Sequence, residues 1–220
     1  MKFVRVSGMM DGVQPLAERL ISELSAGKHV LWLVPGGSNI PLSAAVSHQL
    51  PAELTTNLSV MLTDERYGEI GHKDSNTVQL ELAGFAAQQA SVHAVLQPGL
   101  SLEETTQRFA ADFTSVASSA DIIIGQFGMG PDGHIAGVLP GSAAVSSADL
   151  AFGYPTDSLT RITLTPKAIL QVTVAYVFAF GAEKLTALTN LTEKDLPLDV
   201  QPAQILKQLP ESYVYNDQIG

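Results

Sequence analysis

Four apolar runs in this 220-residue chain stop abruptly at clusters of glycine, charge or histidine, and this arrangement restricts the fold more than any other feature. His29 to Val34 runs into Pro35-Gly36-Gly37-Ser38-Asn39, and Leu58 to Leu62 runs into Thr63-Asp64-Glu65-Arg66. Asp121 to Phe127 runs into Gly128-Met129-Gly130-Pro131-Asp132-Gly133-His134, and Val172 to Phe180 into Gly181-Ala182-Glu183-Lys184. Short uninterrupted runs rich in β-branched residues fit strands buried on both faces. Val13, Leu16, Leu20, Ile21 and Leu24 recur at helical spacing, Leu42 to Leu50 suits a short helix, and Ser101-Leu102-Glu103-Glu104 has the form of a capping box. The helix opened there carries Leu102, Phe109, Phe113 and Val116 on one side. Further strands are expected over Val92 to Leu96, as a buried strand, and Arg161 to Thr165; Ser142 to Ser158 reads as loop with at most a short helix. Strands alternating with helices predict crossover units and a mostly parallel sheet covered on both faces. No repeat, low-complexity tract or linker divides the chain, so residues 1–220 are expected to form a single α/β domain.

Charge and cysteine content narrow the function classes. The formal net charge of −10 argues against nucleic-acid partners. An anionic ligand would have to be held by locally placed cations, and with only 12 Lys plus Arg each one beside a strand-end cluster is informative. There is no cysteine, which removes disulfides and thiolate sites and fits a reducing compartment. No apolar run approaches the ~18 residues of a membrane span, and Met1-Lys2-Phe3 leads into a β-like segment rather than a signal sequence. The expected location is the cytoplasm, with no membrane partner, as a monomer or small homo-oligomer.

In an open parallel α/β sheet, ligands bind outside the carboxyl ends of the strands. Four clusters at that edge predict one composite site. Gly36, Gly37 and Gly130 let the backbone approach a ligand, and free N–H groups at a helix start attract an anion. Ser38 adds a hydroxyl donor. Arg66 can fork onto a phosphate or carboxylate, Lys184 supplies a point charge, and Arg161 begins a strand as a further cation. His134 is the group there that changes charge near neutrality, and Asp132 and Asp64 can orient it or bind sugar hydroxyls. The set points to a phosphorylated, hydroxyl-rich small molecule and proton-transfer chemistry. His29, His48, His72 and His93 lack metal-site spacing, and neither a metal nor a cofactor is expected. Gly128 to Gly133 also matches the G-x-G-x-x-G dinucleotide fingerprint, but that motif must open a long helix. Pro140-Gly141 interrupts the run too soon, and Pro131 removes a backbone donor.

At these residues the sequence resembles the family that joins 6-phosphogluconolactonases and glucosamine-6-phosphate deaminases. Gly36-Gly37-Ser38, Asp64-Glu65-Arg66 followed by Ser75-Asn76, and the Gly128 to Gly141 segment resemble its motifs in order. Arg161 to Thr165, Gly181 to Lys184 and Pro202-Ala203 continue the match. The resemblance implies a doubly wound, Rossmann-like three-layer α/β fold and metal-free hydrolysis of 6-phosphoglucono-δ-lactone. It implies His134 as acid/base, Arg66 and Lys184 as phosphate partners, and Asp64 and Asp132 in support. Backbone N–H groups of the glycine loop would stabilise the oxyanion. The deaminase branch carries a glutamate where this chain has Leu139, which disfavours deamination. A deaminase or isomerase acting on an amino-sugar phosphate, and a non-catalytic sugar-phosphate sensor, are the competing readings. Asn39-Ile40 stands where the family usually has Thr-Pro.

Overall fold

A computed structural model describes all 220 residues. In chain order the strands are β1 (Lys2–Arg5), β2 (Val30–Val34), β3 (Leu58–Leu62), β4 (Asp64–Arg66), β5 (Ser91–His93), β6 (Ile122–Gly128), β7 (Ala151–Pro155), β8 (Thr160–Leu164), β9 (Val174–Ala179) and β10 (Glu211–Asn216). The α-helices are α1 (Val13–Ser25), α2 (Ile40–Ser47), α3 (Asn76–Leu82), α4 (Leu102–Ser119), α5 (Pro166–Ile169) and α6 (Leu185–Glu193). Seven strands form one sheet in the order β1-β10-β9-β6-β2-β3-β5, and every neighbouring pair in it is parallel. The sheet lies between helices in a three-layer α/β arrangement, as the alternation of runs predicts.

The apolar runs are strands because both of their faces are covered. Every residue of β2 and β9 is buried, and so is every residue of β6 before Gly128. Trp32, Phe127 and Phe178 belong to one continuous apolar cluster with Leu16, Leu20, Phe109 and Phe113 from α1 and α4. Full burial of such a side chain contributes about 1.5–3 kcal/mol relative to exposure. α1 turns Leu16, Ala17, Leu20 and Leu24 inward at helical spacing. α4 opens with the expected capping box: Glu104 N donates to the Ser101 hydroxyl at 3.3 Å, and Ser101 N donates to the Glu104 carboxylate at 2.9 Å.

The strand order places the site. From β2 the chain winds outward through β3 to β5; from β6 it winds the other way through β9 to β10. The direction reverses between β2 and β6, which are adjacent. Their carboxyl ends carry Pro35 to Asn39 and Met129 to His134, so the loops splay apart there and leave a crevice.

Three segments differ from expectation. Ser142 to Ser158 is not simply loop: a helical turn at Ala143–Ser146 leads into β7, which forms a small antiparallel sheet in the order β4-β8-β7. Its sequence, Ala-Phe-Gly-Tyr-Pro, hides the strand because Gly and Pro interrupt a partly exposed segment. The segment from Val92 is not a buried strand. It forms the short edge strand β5, in which Val92 is 52% exposed. Asp64-Glu65-Arg66 is itself a strand: after β3 the chain crosses at buried Thr63, whose N–H meets Val34 O at 2.9 Å and whose carbonyl accepts from Leu164 N at 2.9 Å.

Candidate active site

The four clusters meet in one polar cleft of about 240 Å³ at the switch point. Gly36, Gly37, Ser38, Asp64, Arg66, Gly130, His134, Arg161 and Lys184 all line it. Asp132 stands behind His134 rather than on the cleft wall.

His134 is held by its own loop. Its Nδ1 lies 2.6 Å from Asp132 Oδ1, and its backbone N–H donates to the same oxygen at 3.1 Å. A carboxylate at Nδ1 fixes the tautomer that carries its proton there and leaves Nε2 as the free base. The loop closes tightly: Gly130 N donates to His134 O at 3.0 Å, and Gly133 N donates to Gly130 O at 3.0 Å. A Cβ on Gly130 would overlap the imidazole and the Asp132 carboxylate. Gly133 sits at φ +80° and Ala136 at φ +51°, a conformation that a residue with a side chain adopts at a cost and mostly near functional sites. No helix follows Gly133, so the dinucleotide fingerprint fails on its required context.

These bonds bear on which backbone N–H groups are left to face a ligand. The Gly130 and Gly133 N–H groups are occupied within the loop. The Gly36–Ser38 segment is differently placed. It leads into a helical turn, Gly37–Asn39, that continues as α2, and the first N–H groups of a helix have no partner inside it. A Cβ on Gly36 would strike the Asn76 side chain, so only glycine fits between that amide and the cleft.

Period-two alternation in β4 divides the Asp-Glu-Arg triplet. Asp64 and Arg66 share the face that lines the cleft, and Glu65 points the other way. Glu65 is fully buried and collects five donors. Its Oε1 accepts from Arg66 N at 2.7 Å and Asn76 N at 2.6 Å. Its Oε2 accepts from the Ser75 hydroxyl at 3.0 Å, Thr77 N at 3.0 Å and the Thr77 hydroxyl at 2.9 Å. Asn76 in turn donates through Nδ2 to Asp64 O at 2.8 Å. Glu65 thus locks β4 to the start of α3, and the Asn76 side chain packs against Gly36. Glu65 is not among the residues expected at the site; strand alternation within the triplet is the signal that identifies it.

Three cations converge. Arg66 and Arg161 are directly opposed across β4 and β8. Arg66 donates to Asp74 O at 2.8 Å, and Arg161 lies 3.3 Å from Asp64 Oδ2. Asp64 is therefore the partner of Arg161, not of His134. The Nε atoms of both arginines are buried without a hydrogen-bond partner. Lys184 is buried at the turn after β9, and burial pushes its ammonium below the usual lysine range. Asn39, which stands where the family usually has threonine, also lines the cleft: its Nδ2 donates to Phe178 O at 3.4 Å and its Oδ1 has no partner. Of eight buried side-chain polar atoms lacking a partner, four belong to Arg66, Arg161, Asn39 and the adjoining Asn76, so unsatisfied polarity is concentrated where a polar ligand would sit. No group of three or more His, Asp or Glu side chains is arranged to hold a metal ion.

The sequence signature described as glucosamine-6-phosphate isomerases/6-phosphogluconolactonase matches residues 9–214. The chain belongs to this family. A 6-phosphogluconolactonase from Pseudomonas aeruginosa is 30% identical over 185 residues, covering 79% of this chain and 76% of that protein. One from Thermotoga maritima is 25% identical over 198 residues, covering 88% of this chain and 86% of that protein. The crystal structure of the 6-phosphogluconolactonase from Thermotoga maritima superposes with a TM-score of 0.82 at 21% identity, covering 98% of each chain. Family membership accounts for the order of the motifs, and the shared fold accounts for their convergence.

Proposed function

We propose that this chain, acting as one domain over residues 1–220, hydrolyses 6-phosphoglucono-δ-lactone to 6-phosphogluconate. The observation that carries the reading is the placement of an oriented His134–Asp132 pair in the same cleft as Arg66, Arg161 and Lys184. The named relatives are lactonases, which supports the same substrate class.

In this mechanism His134 Nε2 removes a proton from water as the water oxygen bonds to the lactone carbonyl carbon. The carbonyl oxygen becomes an oxyanion, which faces the free N–H groups at the start of the Gly37 turn. Collapse of the tetrahedral intermediate breaks the bond to the ring oxygen, and the imidazolium returns its proton to that oxygen. Asp132 stabilises the transient positive charge and keeps Nε2 aimed at the cleft. Arg66, Arg161 and Lys184 bind the phosphate and hold the carbonyl in reach of His134, so much of the acceleration comes from positioning.

Leu139 stands where a deaminase would need another acid/base group, and its side chain does not line the cleft. Incubation with glucosamine 6-phosphate is therefore expected to release no ammonia above a heat-inactivated control, and clear ammonia release would replace the lactonase reading with the deaminase one. The cytoplasm is the proposed place of action, consistent with a cysteine-free chain in which no helix is long and apolar enough to cross a membrane.

A further inference from the structure

Lys184 presents a conflict that its surroundings resolve. A buried lysine is ordinarily paired, because an isolated ammonium loses hydration and tends to shed its proton. Yet Lys184 Nζ makes no hydrogen bond or ion pair, although it lies at a cleft that needs a cation. A direct salt bridge would preserve the charge but take up a donor and part of the charge that an anionic ligand requires.

Two carboxylates stand at Gly181, at the start of the turn that carries Lys184, and neither takes those donors. Gly181, at φ +109°, opens the turn that carries Lys184, and Lys184 N donates to Gly181 O at 3.0 Å. Gly181 N donates to Asp217 Oδ1 at 3.2 Å, just beyond the end of β10, so Asp217 ties this turn to the neighbouring strand. The Glu183 carboxylate folds back over Gly181, filling the space that a Cβ there would need. We propose that Glu183 and Asp217 are positioning residues that hold the Lys184 side chain as a free cation: Asp217 anchors its turn, and both carboxylates balance its charge while leaving its N–H donors to the ligand. The inference rests on Lys184 being a phosphate partner in the proposed reaction.

The electrostatics agree with this geometry. Burial pulls the Lys184 ammonium down, and Glu183 and then Asp217 push it back up. Asp217 is held below the usual carboxylate range by the Gln218 side chain, with smaller contributions from the Gly181 N–H and from Lys184. The other charged or titratable groups of the cleft are Asp64, Arg66, His134 and Arg161. A Lys184→Ala reference separates their behaviour from that of Lys184.

The sign of the effect is unusual and gives a test that a purely structural role would not mimic. While Lys184 is protonated, the two carboxylates repel a bound phosphate; at higher pH they prolong the life of the cation. Calorimetric titration of 6-phosphogluconate from pH 7 to pH 10 would compare wild type, Lys184→Ala and the double variant Glu183→Gln/Asp217→Asn. Phosphate is dianionic across that range, its second pKa being about 6. The double variant is expected to bind more tightly than wild type near pH 7. Its affinity should fall at lower pH than that of wild type, so the two curves cross. The single variants Glu183→Gln and Asp217→Asn should each show a smaller version of the same crossing. If Lys184→Ala is weakened but the double variant runs parallel to wild type, or is weaker by the same factor at every pH, the counter-charge role is wrong. If Lys184→Ala binds as tightly as wild type throughout, Lys184 is not a phosphate partner, and this inference falls with that reading.

Discussion

Arg66 and Arg161 lie directly opposite each other across the antiparallel pair β4 and β8, two like charges at the register position where such a pair is destabilising. Asp64 offsets one of them, and nothing in the chain offsets the other fully. An anion between them would relieve the repulsion. Arg66→Ala and Lys184→Ala are expected to weaken 6-phosphogluconate binding by about 1.5–3 kcal/mol each, typical of hydrogen bonds to charged groups. Affinity for unphosphorylated gluconolactone should scarcely change, nor should Lys2, Arg108 or Lys207 substitutions affect either ligand. Equal losses for both ligands in calorimetry would place the phosphate elsewhere.

Arg161 has two tasks, and its substitution should separate from that of Arg66. Arg161→Ala leaves Asp64 buried without its cation, a change that costs about 3–5 kcal/mol when a buried pair is broken. Denaturant titration should show Arg161→Ala losing stability as well as phosphate affinity, whereas Arg66→Ala, whose guanidinium contacts a backbone carbonyl, should lose mainly affinity. Comparable unfolding midpoints for the two variants would contradict the division.

Gly130 is required by the space it leaves, not by its backbone angle. A methyl group there would displace the His134 ring and the Asp132 carboxylate together. Gly130→Ala should lower kcat while leaving 6-phosphogluconate affinity within a few-fold of wild type, because the three cations lie on other elements. A variant with unchanged kcat would mean that the observed His134 position is not the working one.

Glu65 should matter through the fold. Its five donors cannot all be served by an amide, so Glu65→Gln leaves buried N–H or O–H groups opposed to a donor. Each unsatisfied buried group costs about 1–3 kcal/mol, and the variant should unfold at distinctly lower denaturant concentration. An unfolding midpoint equal to that of wild type would show that β4 and α3 do not depend on this carboxylate.

The sequence revealed most about the places where physical constraints act locally. β2, β3, β6 and β9 are readable because burial on both faces demands an unbroken apolar run, and each cluster that breaks a run supplies residues to the cleft. β7 and β10 escaped because Gly, Pro, Glu, Ser and Asn interrupt them; pairing with neighbours distant in sequence, not local pattern, makes them strands. The same limit applied within the site. Asp132 lies two residues from His134 and its contact with that ring was legible, but Asp64 pairs with a residue 97 positions away. The sequence offered no means of choosing Arg161 over His134 as its partner. Nor could it show that Gly130 and Gly133 spend their N–H groups inside their own loop, because that depends on the loop's closure.

His134 is expected to perform acid/base chemistry on a phosphorylated lactone in this cleft. The most direct measurement follows opening of freshly prepared 6-phosphogluconolactone, corrected for spontaneous hydrolysis, by wild type and His134→Ala in parallel with 6-phosphogluconate binding. Wild type should accelerate ring opening, and His134→Ala should lower kcat by roughly 10²–10⁴-fold, the usual contribution of general acid–base catalysis, while still binding 6-phosphogluconate. Near-normal turnover by the variant would mean that His134 is not the acid/base group, and no acceleration by wild type would mean that the chain is not a lactonase.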